Sequence, residues 1–235
     1  GVLIAHELLD ALPVERLSWR DGALQQEWVE LDPNGGLRTR HRPLPDALQD
    51  EINRVSRNRG IQLPPPEAKE GWTTEWNSAL PDWFNAVAGA VDAGVLLVID
   101  YAHEAWRYYA PQRSNGTLMA YRGQRASDDP LLEPGHWDLT AHLCLESLER
   151  AAAASGWSLL GQRRQGEALL ALGLAQRLHA LQQGSPAELA DLLSRREALL
   201  RYVDPSALGD FRWIGLQRSG AVAAQPLFLQ DPPLA

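Results

Sequence analysis

Two apolar runs, GVLIA at residues 1–5 and GVLLVIDY at 94–101, constrain this chain more than any other feature. The second is continuous, as expected of a strand covered on both faces in a parallel sheet, and the first reads as a shorter buried strand. Polar residues follow each run at once: His6, Glu7 and Asp10 after the first, and Asp100, Tyr101 and His103 at and beyond the end of the second. Open α/β sheets place ligands at such carboxyl ends.

The intervening segments follow the same logic. VERLSWRDG, ALQQEWVEL and LRTRHRPL have strand spacing, and Asp21-Gly22 and Asn34-Gly35-Gly36 separate them as turns. They predict an antiparallel meander inserted after the first strand, so that residues 14–70 comprise a meander and a linker. Residues 47–60 read as a helix, and Pro64-Pro65-Pro66 then marks a surface connection. The stretch from Thr74 to the second apolar run reads as a helix with a proline break. Residues 102–140 are rich in aromatics, Gly and Pro without periodicity and read as a long loop excursion over a site, not as core. Beyond them a helix capped by Thr140 is expected to stop at Gly156. A strand over 157–165 comes next, then a helix ending at Gly184. A capping box at Ser185-Pro186-Ala187-Glu188 opens a further helix to about Tyr202, and FRWIGLQRSG ends the pattern as a strand. Helices and apolar strands alternating in this way predict a layered α/β domain.

Charge and cysteine content narrow the functional classes. A net charge of -8 argues against a broad nucleic-acid surface. The arginines at 122 and 125 and at 163 and 164 read as solvated faces. Cys144 is the only cysteine, so neither an internal disulfide nor a four-thiolate zinc site can form, and a reducing, cytoplasmic setting is expected. No apolar run reaches the length of a membrane span. His136, Asp138 and His142 lack the spacing of a metal site, and no metal is expected.

The chemistry-bearing residues allow more than one role. Glu7 and Asp10 stand three residues apart. On a helix beginning at Leu8 they would share a face and could grip a guanidinium through charge-assisted hydrogen bonds; equally, they could favour that helix's N-terminus. Asp100 could face the same rim or cap the turn that follows it. His142 could start a helix, hydrogen-bonded to Asp138, or accept a proton in a cleft.

LIAHELLDALPV, LLVIDYAH and GTLMAYRGQRASDDPL with PGHWDLTAH, in that order, resemble the motifs of the MidA-type methyltransferases, which include the mitochondrial complex I assembly-factor methyltransferase. The resemblance implies a class I, Rossmann-like methyltransferase fold. Residues 1–5, 94–101, 157–165 and 211–218 would supply its fourth, fifth, sixth and antiparallel seventh strands. The first three strands and the glycine-rich cofactor loop would precede Gly1, leaving 1–235 as a partial methyltransferase domain.

It further implies S-adenosylmethionine as methyl donor and a protein substrate, arginine by analogy with the mitochondrial member, in respiratory complex assembly. Glu7, Asp10 and His142 would be catalytic, and Asp100, Tyr101, Asp129 and Asp138 would bind substrate. His6, where the family pattern has Asn, would touch the cofactor. No glycine-rich strand-to-helix turn occurs in the sequence, so these residues alone are expected to be inactive. The apolar edge at 1–5 would allow pairing with a second copy, giving a homodimer. The competing reading is an assembly or binding factor that keeps the fold without the chemistry.

Overall fold

A computed structural model describes residues 1–59, 61–181, 189–220 and 224–233. The first elements are β1 (Val2–His6), β2 (Glu15–Arg20), β3 (Ala23–Leu31), β4 (Leu37–Pro43), α1 (Asp46–Arg59), β5 (Thr73–Trp76), α2 (Leu80–Ala90) and β6 (Gly94–Asp100). There follow β7 (Ala102–His103), α3 (Ala105–Tyr108), β8 (Met119–Arg122), β9 (Arg125–Ser127), β10 (Asp138–Thr140) and β11 (Leu143–Cys144). The chain then runs through α4 (Leu145–Ala154), β12 (Trp157–Arg164), α5 (Gln165–Ala171), α6 (Leu174–Leu181), α7 (Leu189–Arg201) and β13 (Arg212–Arg218).

The chain divides into two compact units. The first comprises residues 1–7, 85–101 and 152–235, and the second comprises 8–84 and 102–151. In the first unit four strands form one sheet in the order β1-β6-β13-β12. β1 and β6 are parallel, and β13 runs antiparallel to both its neighbours. This is the mixed α/β sheet expected of a class I methyltransferase. β6 lies inside it, which explains its uninterrupted apolar run: Leu96, Val98, Ile99 and Asp100 are buried. β1 lies at the edge and corrects the reading of a fully buried strand. Ala5 is buried, but Val2 and Ile4 are 74% and 67% exposed. Ala168, Phe228 and Leu229, with Leu97, Leu160 and Trp213 against them, form a smaller core beside the sheet.

The second unit holds the meander, but with four strands in the order β4-β3-β2-β5. The added strand, β5, falls where the sequence suggested the start of a helix, and α2 begins only at Leu80, with Pro81 in its first turn. All four residues of β5 are buried, so it shows no alternation to read. Ile52 and Val55, on one side of α1, pack with Leu17, Trp72, Trp76 and Tyr108.

The segment 102–140 is not an element-free excursion. It contains β7, α3 and a three-stranded sheet in the order β10-β8-β9, and Tyr108 within it is completely buried. Thr140 ends β10 instead of capping a helix, and α4 starts later, at Leu145. Gly156, at φ +80°, does end that helical stretch. The long helix expected after β12 is broken at Gly173, φ +90°, into α5 and α6. Gly184 and the proposed capping box at 185–188 lie outside the described residues.

Candidate functional site

The parallel register of the first unit, which pairs His6 with Ile99, brings the carboxyl ends of β1 and β6 together. The antiparallel register of β13 pairs Arg212 with Asp100 and so adds the start of β13 to the same rim. The Glu7 N–H donates to the Ile99 carbonyl at 3.0 Å, carrying the pairing one residue past the strand. Glu7 then turns away at φ +46°. A non-glycine residue held in that left-handed region carries about 1 kcal/mol or more of strain, of the kind found at ligand sites.

The Glu7 carboxylate is half-exposed and lies 3.6 Å from Nε2 of the equally exposed His6. An aromatic shelf adjoins these polar groups. The Tyr101 and Phe211 rings have centroids 4.0 Å apart, and the His6 ring lies 6.3 Å from Phe211. Phe211 is buried, so the shelf is fixed from below. Such a rim can present a carboxylate acceptor and a planar aromatic surface to a cation. Asp100 is completely buried, and its Oδ1 accepts the N–H of Tyr101 at 2.9 Å.

Asp10 belongs to the second unit, where it is buried and its backbone carbonyl accepts the Ala141 N–H at 2.9 Å. Residues 7–12 form turns rather than a helix, so the shared helical face for Glu7 and Asp10 does not exist. The left-handed backbone at Glu7 breaks the strand without starting a helical turn. Asp129 is exposed, and its Oδ1 accepts the Leu131 N–H at 2.9 Å in a local turn. Asp138 is exposed in β10 opposite Tyr121. His142 does not start a helix. It lies between β10 and β11, and its Nδ1 is 3.1 Å from Nε2 of the buried His103. One ring of that pair donates while the other accepts.

The residue that sequence reasoning missed is Glu75, in β5. It has no exposed surface, and its carboxylate accepts the Thr117 N–H (2.8 Å), the Thr117 hydroxyl (3.0 Å) and the Leu118 N–H (3.2 Å). Burial raises its pKa, against the pull of those bonds and of the Arg16 charge. Thr117 Oγ1 also accepts the His142 N–H at 3.0 Å. A buried carboxylate thus positions the GTL turn, and that turn positions His142. The signal was an acidic residue inside a short β-prone TTEW run, whose partners lie some forty residues away.

Among the described residues no three or more His, Cys, Asp or Glu side chains come together to hold a metal, and no helix is long and apolar enough to cross a membrane. Nor does a described strand lead through a glycine-rich turn into a helix: turns follow β1, and β7 follows β6. A glycine-rich cofactor cradle is therefore not built by the described residues.

A family model of S-adenosyl-L-methionine-dependent methyltransferases matches residues 1–163. The mitochondrial protein arginine methyltransferase NDUFAF7 homolog of Drosophila melanogaster is 28% identical over 77% of this chain and 40% of its own. Mouse mitochondrial protein arginine methyltransferase NDUFAF7 is 26% identical over 89% of this chain and 44% of its own. This chain thus spans less than half the length of those curated relatives. A crystal structure from Burkholderia thailandensis bound to S-adenosyl-homocysteine superposes with a TM-score of 0.83 at 29% identity, covering 99% of this chain and 57% of that one. A native structure from the same organism gives 0.82 at 28% identity, covering 99% and 59%. With more than half its length under the family model, the chain belongs to the S-adenosyl-L-methionine-dependent methyltransferase family.

Proposed function

We propose that the protein of which this chain is part transfers a methyl group from S-adenosylmethionine to an arginine nitrogen of a partner protein, and that His6, Glu7 and Tyr101 form the acceptor side of that site. The observation that carries this reading is the half-exposed Glu7 carboxylate, held by a left-handed backbone beside His6 and the Tyr101–Phe211 shelf at the carboxyl end of a parallel strand pair. The arginine specificity of the curated relatives supports the choice of acceptor. Assembly of a respiratory complex is the setting that the family resemblance suggests.

The sulfonium of the donor supplies an activated methyl carbon; the residues of this chain need only align the acceptor and manage its charge. Glu7 accepts N–H bonds from the guanidinium and fixes its plane. Its negative charge offsets the positive charge of the guanidinium as the nitrogen is held in line for displacement. Tyr101 stacks the guanidinium plane, and the His6 ring takes up the proton released when the nitrogen gains carbon. Because the described residues do not build a nucleoside cradle, we infer that this chain by itself does not turn over.

The test is methyl transfer to an arginine-bearing protein substrate by the complete protein and its Glu7→Gln variant. Loss of the charge should lower kcat by about 10²-fold with little change in affinity for the donor. Unchanged kinetics would remove Glu7 from the acceptor site. His6 favours the alternative of a binding factor without chemistry, since it stands where the family pattern has Asn. Failure of the complete protein to take up S-adenosylmethionine in a titration would select that alternative.

A further inference from the structure

The second unit carries a trough that the proposed transfer reaction does not use. A cavity of about 550 Å³ lies between the proline segment and α3, lined by Pro65, Pro66, Glu67, Trp106, Tyr109 and Glu146 among others. A second, of about 570 Å³, shares Glu67, Pro111 and Gln112 with it and continues to Glu70, Trp72 and Asn115. The shared residues make the two one elongated depression, walled by prolines and aromatic rings.

Around Trp106 its charge is one-sided: Glu67 and Glu146 line the first cavity, and no lysine or arginine does. The second adds Glu70 and Lys69, and a third hollow that shares Gln112, Ser114 and Asn115 with it carries Arg107 and Arg113. Glu146 accepts the Ala105 N–H, at 2.7 Å, and the Cys144 thiol, both through Oε2. Trp106 is 74% exposed, an unusual state for the largest apolar side chain, and among the described residues neither a ring nor a cation stacks on it. An open indole beside carboxylates suits a guanidinium, which can stack on the ring while its N–H groups reach an acid. Proline and aromatic walls suit an extended backbone.

We propose that this trough docks an extended, arginine-bearing peptide segment of a partner protein, with the guanidinium placed on Trp106 and against Glu67 and Glu146. The surface lies outside the residues assigned to methyl transfer, and the docking does not depend on that assignment. For a protein that acts on a protein, such a trough would hold flanking sequence while another part of the partner reacts.

Calorimetric titration of this chain, without any methyl donor, with a short Arg- and Pro-bearing peptide tests it, alongside the same peptide with Arg replaced by Gln or Glu. The Arg peptide should bind, more weakly as salt rises, and the Gln and Glu forms should bind at least about tenfold less tightly. Trp106→Ala and the Glu67→Gln, Glu146→Gln pair should each reduce Arg-peptide affinity about tenfold, and Trp106→Phe should retain most of it. Far-UV circular dichroism of each variant establishes that it is folded, and the exposure of Trp106 predicts that it will be. Equal binding of the Arg and Gln peptides, or no binding of the Arg peptide to folded wild-type protein, overturns the proposal. So does concentration-dependent self-association abolished by Trp106→Ala, which would make a second copy the occupant. A complete protein that fails to transfer methyl groups while this chain still binds the Arg peptide would refute the transfer reading and leave the docking site standing.

Discussion

Gly116 is the position where one added methyl group should do most damage to the second unit. Its backbone has φ +73°, and a Cβ built there would lie 2.7 Å from Cδ and Oε2 of Glu75, with Oε1 closer still. The carboxylate has no exposed surface, and the Thr117 and Leu118 donors hold it, so it cannot retreat without giving up bonds. Gly116→Ala therefore adds two costs. Left-handed backbone in a non-glycine residue costs about 1 kcal/mol. Displacing a buried acceptor from some of its three donors adds roughly 1 to 3 kcal/mol for each group left unsatisfied, for a total of about 3 to 5 kcal/mol. At the usual few degrees per kcal/mol for a chain of this size, the melting temperature should fall by roughly 10 °C. Gly135→Ala is the control: its φ is +84° and an added Cβ meets nothing within 4 Å, so it isolates the backbone cost alone. Urea unfolding followed by tryptophan fluorescence can read both variants, since Trp72 and Trp76 are almost completely buried near this contact. Equal losses in the two variants would show that Glu75 can step aside, and the reasoning about its fixed position would fail.

Further expectations concern titration and reactivity. Burial raises the Glu75 pKa above its ordinary 4.5, so near pH 4.5 the unfolded chain begins to release this proton while the folded protein keeps it. Stability should therefore decline as pH rises from there through the folded pKa and then level off; Glu75→Gln should flatten that part of the curve, and parallel curves for the two proteins would show that burial does not govern this proton. Cys144 is buried, with its thiol pushed up to about 11 chiefly by burial, so a thiol reagent at mildly alkaline pH should label it only on unfolding; rapid labelling of folded protein would contradict the packing. Removing the His142 ring in His142→Ala deletes a partner of the buried His103 and should cost about 1 to 3 kcal/mol in denaturant melts; a neutral result would mean that water or its other contacts satisfy His103 equally well.

Much of the first unit was legible because its inner strands carry apolar runs covered on both faces. β6 has no polar residue before Asp100, and β13 buries the apolar run Ile214, Gly215 and Leu216 at its centre. The register between them then determines the rim, since parallel β1 and β6 must end together. Turn chemistry made the meander legible too: Asp21 and Gly22 both adopt positive φ, as a tight hairpin requires. What misled was the assumption that the polar residues after β1 continue on a helix. Glu7 and Asp10 have helical spacing, yet a left-handed φ at Glu7 ends any such continuation, and no local propensity marks that choice.

β5 and Glu75 show why the second unit was harder to read. A carboxylate buried on a four-residue strand violates the usual rule that polar side chains point outward, and it is tolerated only because Thr117 and Leu118 supply donors from far along the chain. The aromatic, glycine-containing stretch that looked like a loose excursion is thus pinned at its middle by a charge-capable group, with Tyr108 packed beneath as solid core. The dependence runs in both directions. Without the GTL turn Glu75 would be an unsatisfied buried acid, and without Glu75 the N–H groups of Thr117 and Leu118 would lose their acceptor. A periodicity argument sees neither half, because each residue is unfavourable where it stands until the other is in place.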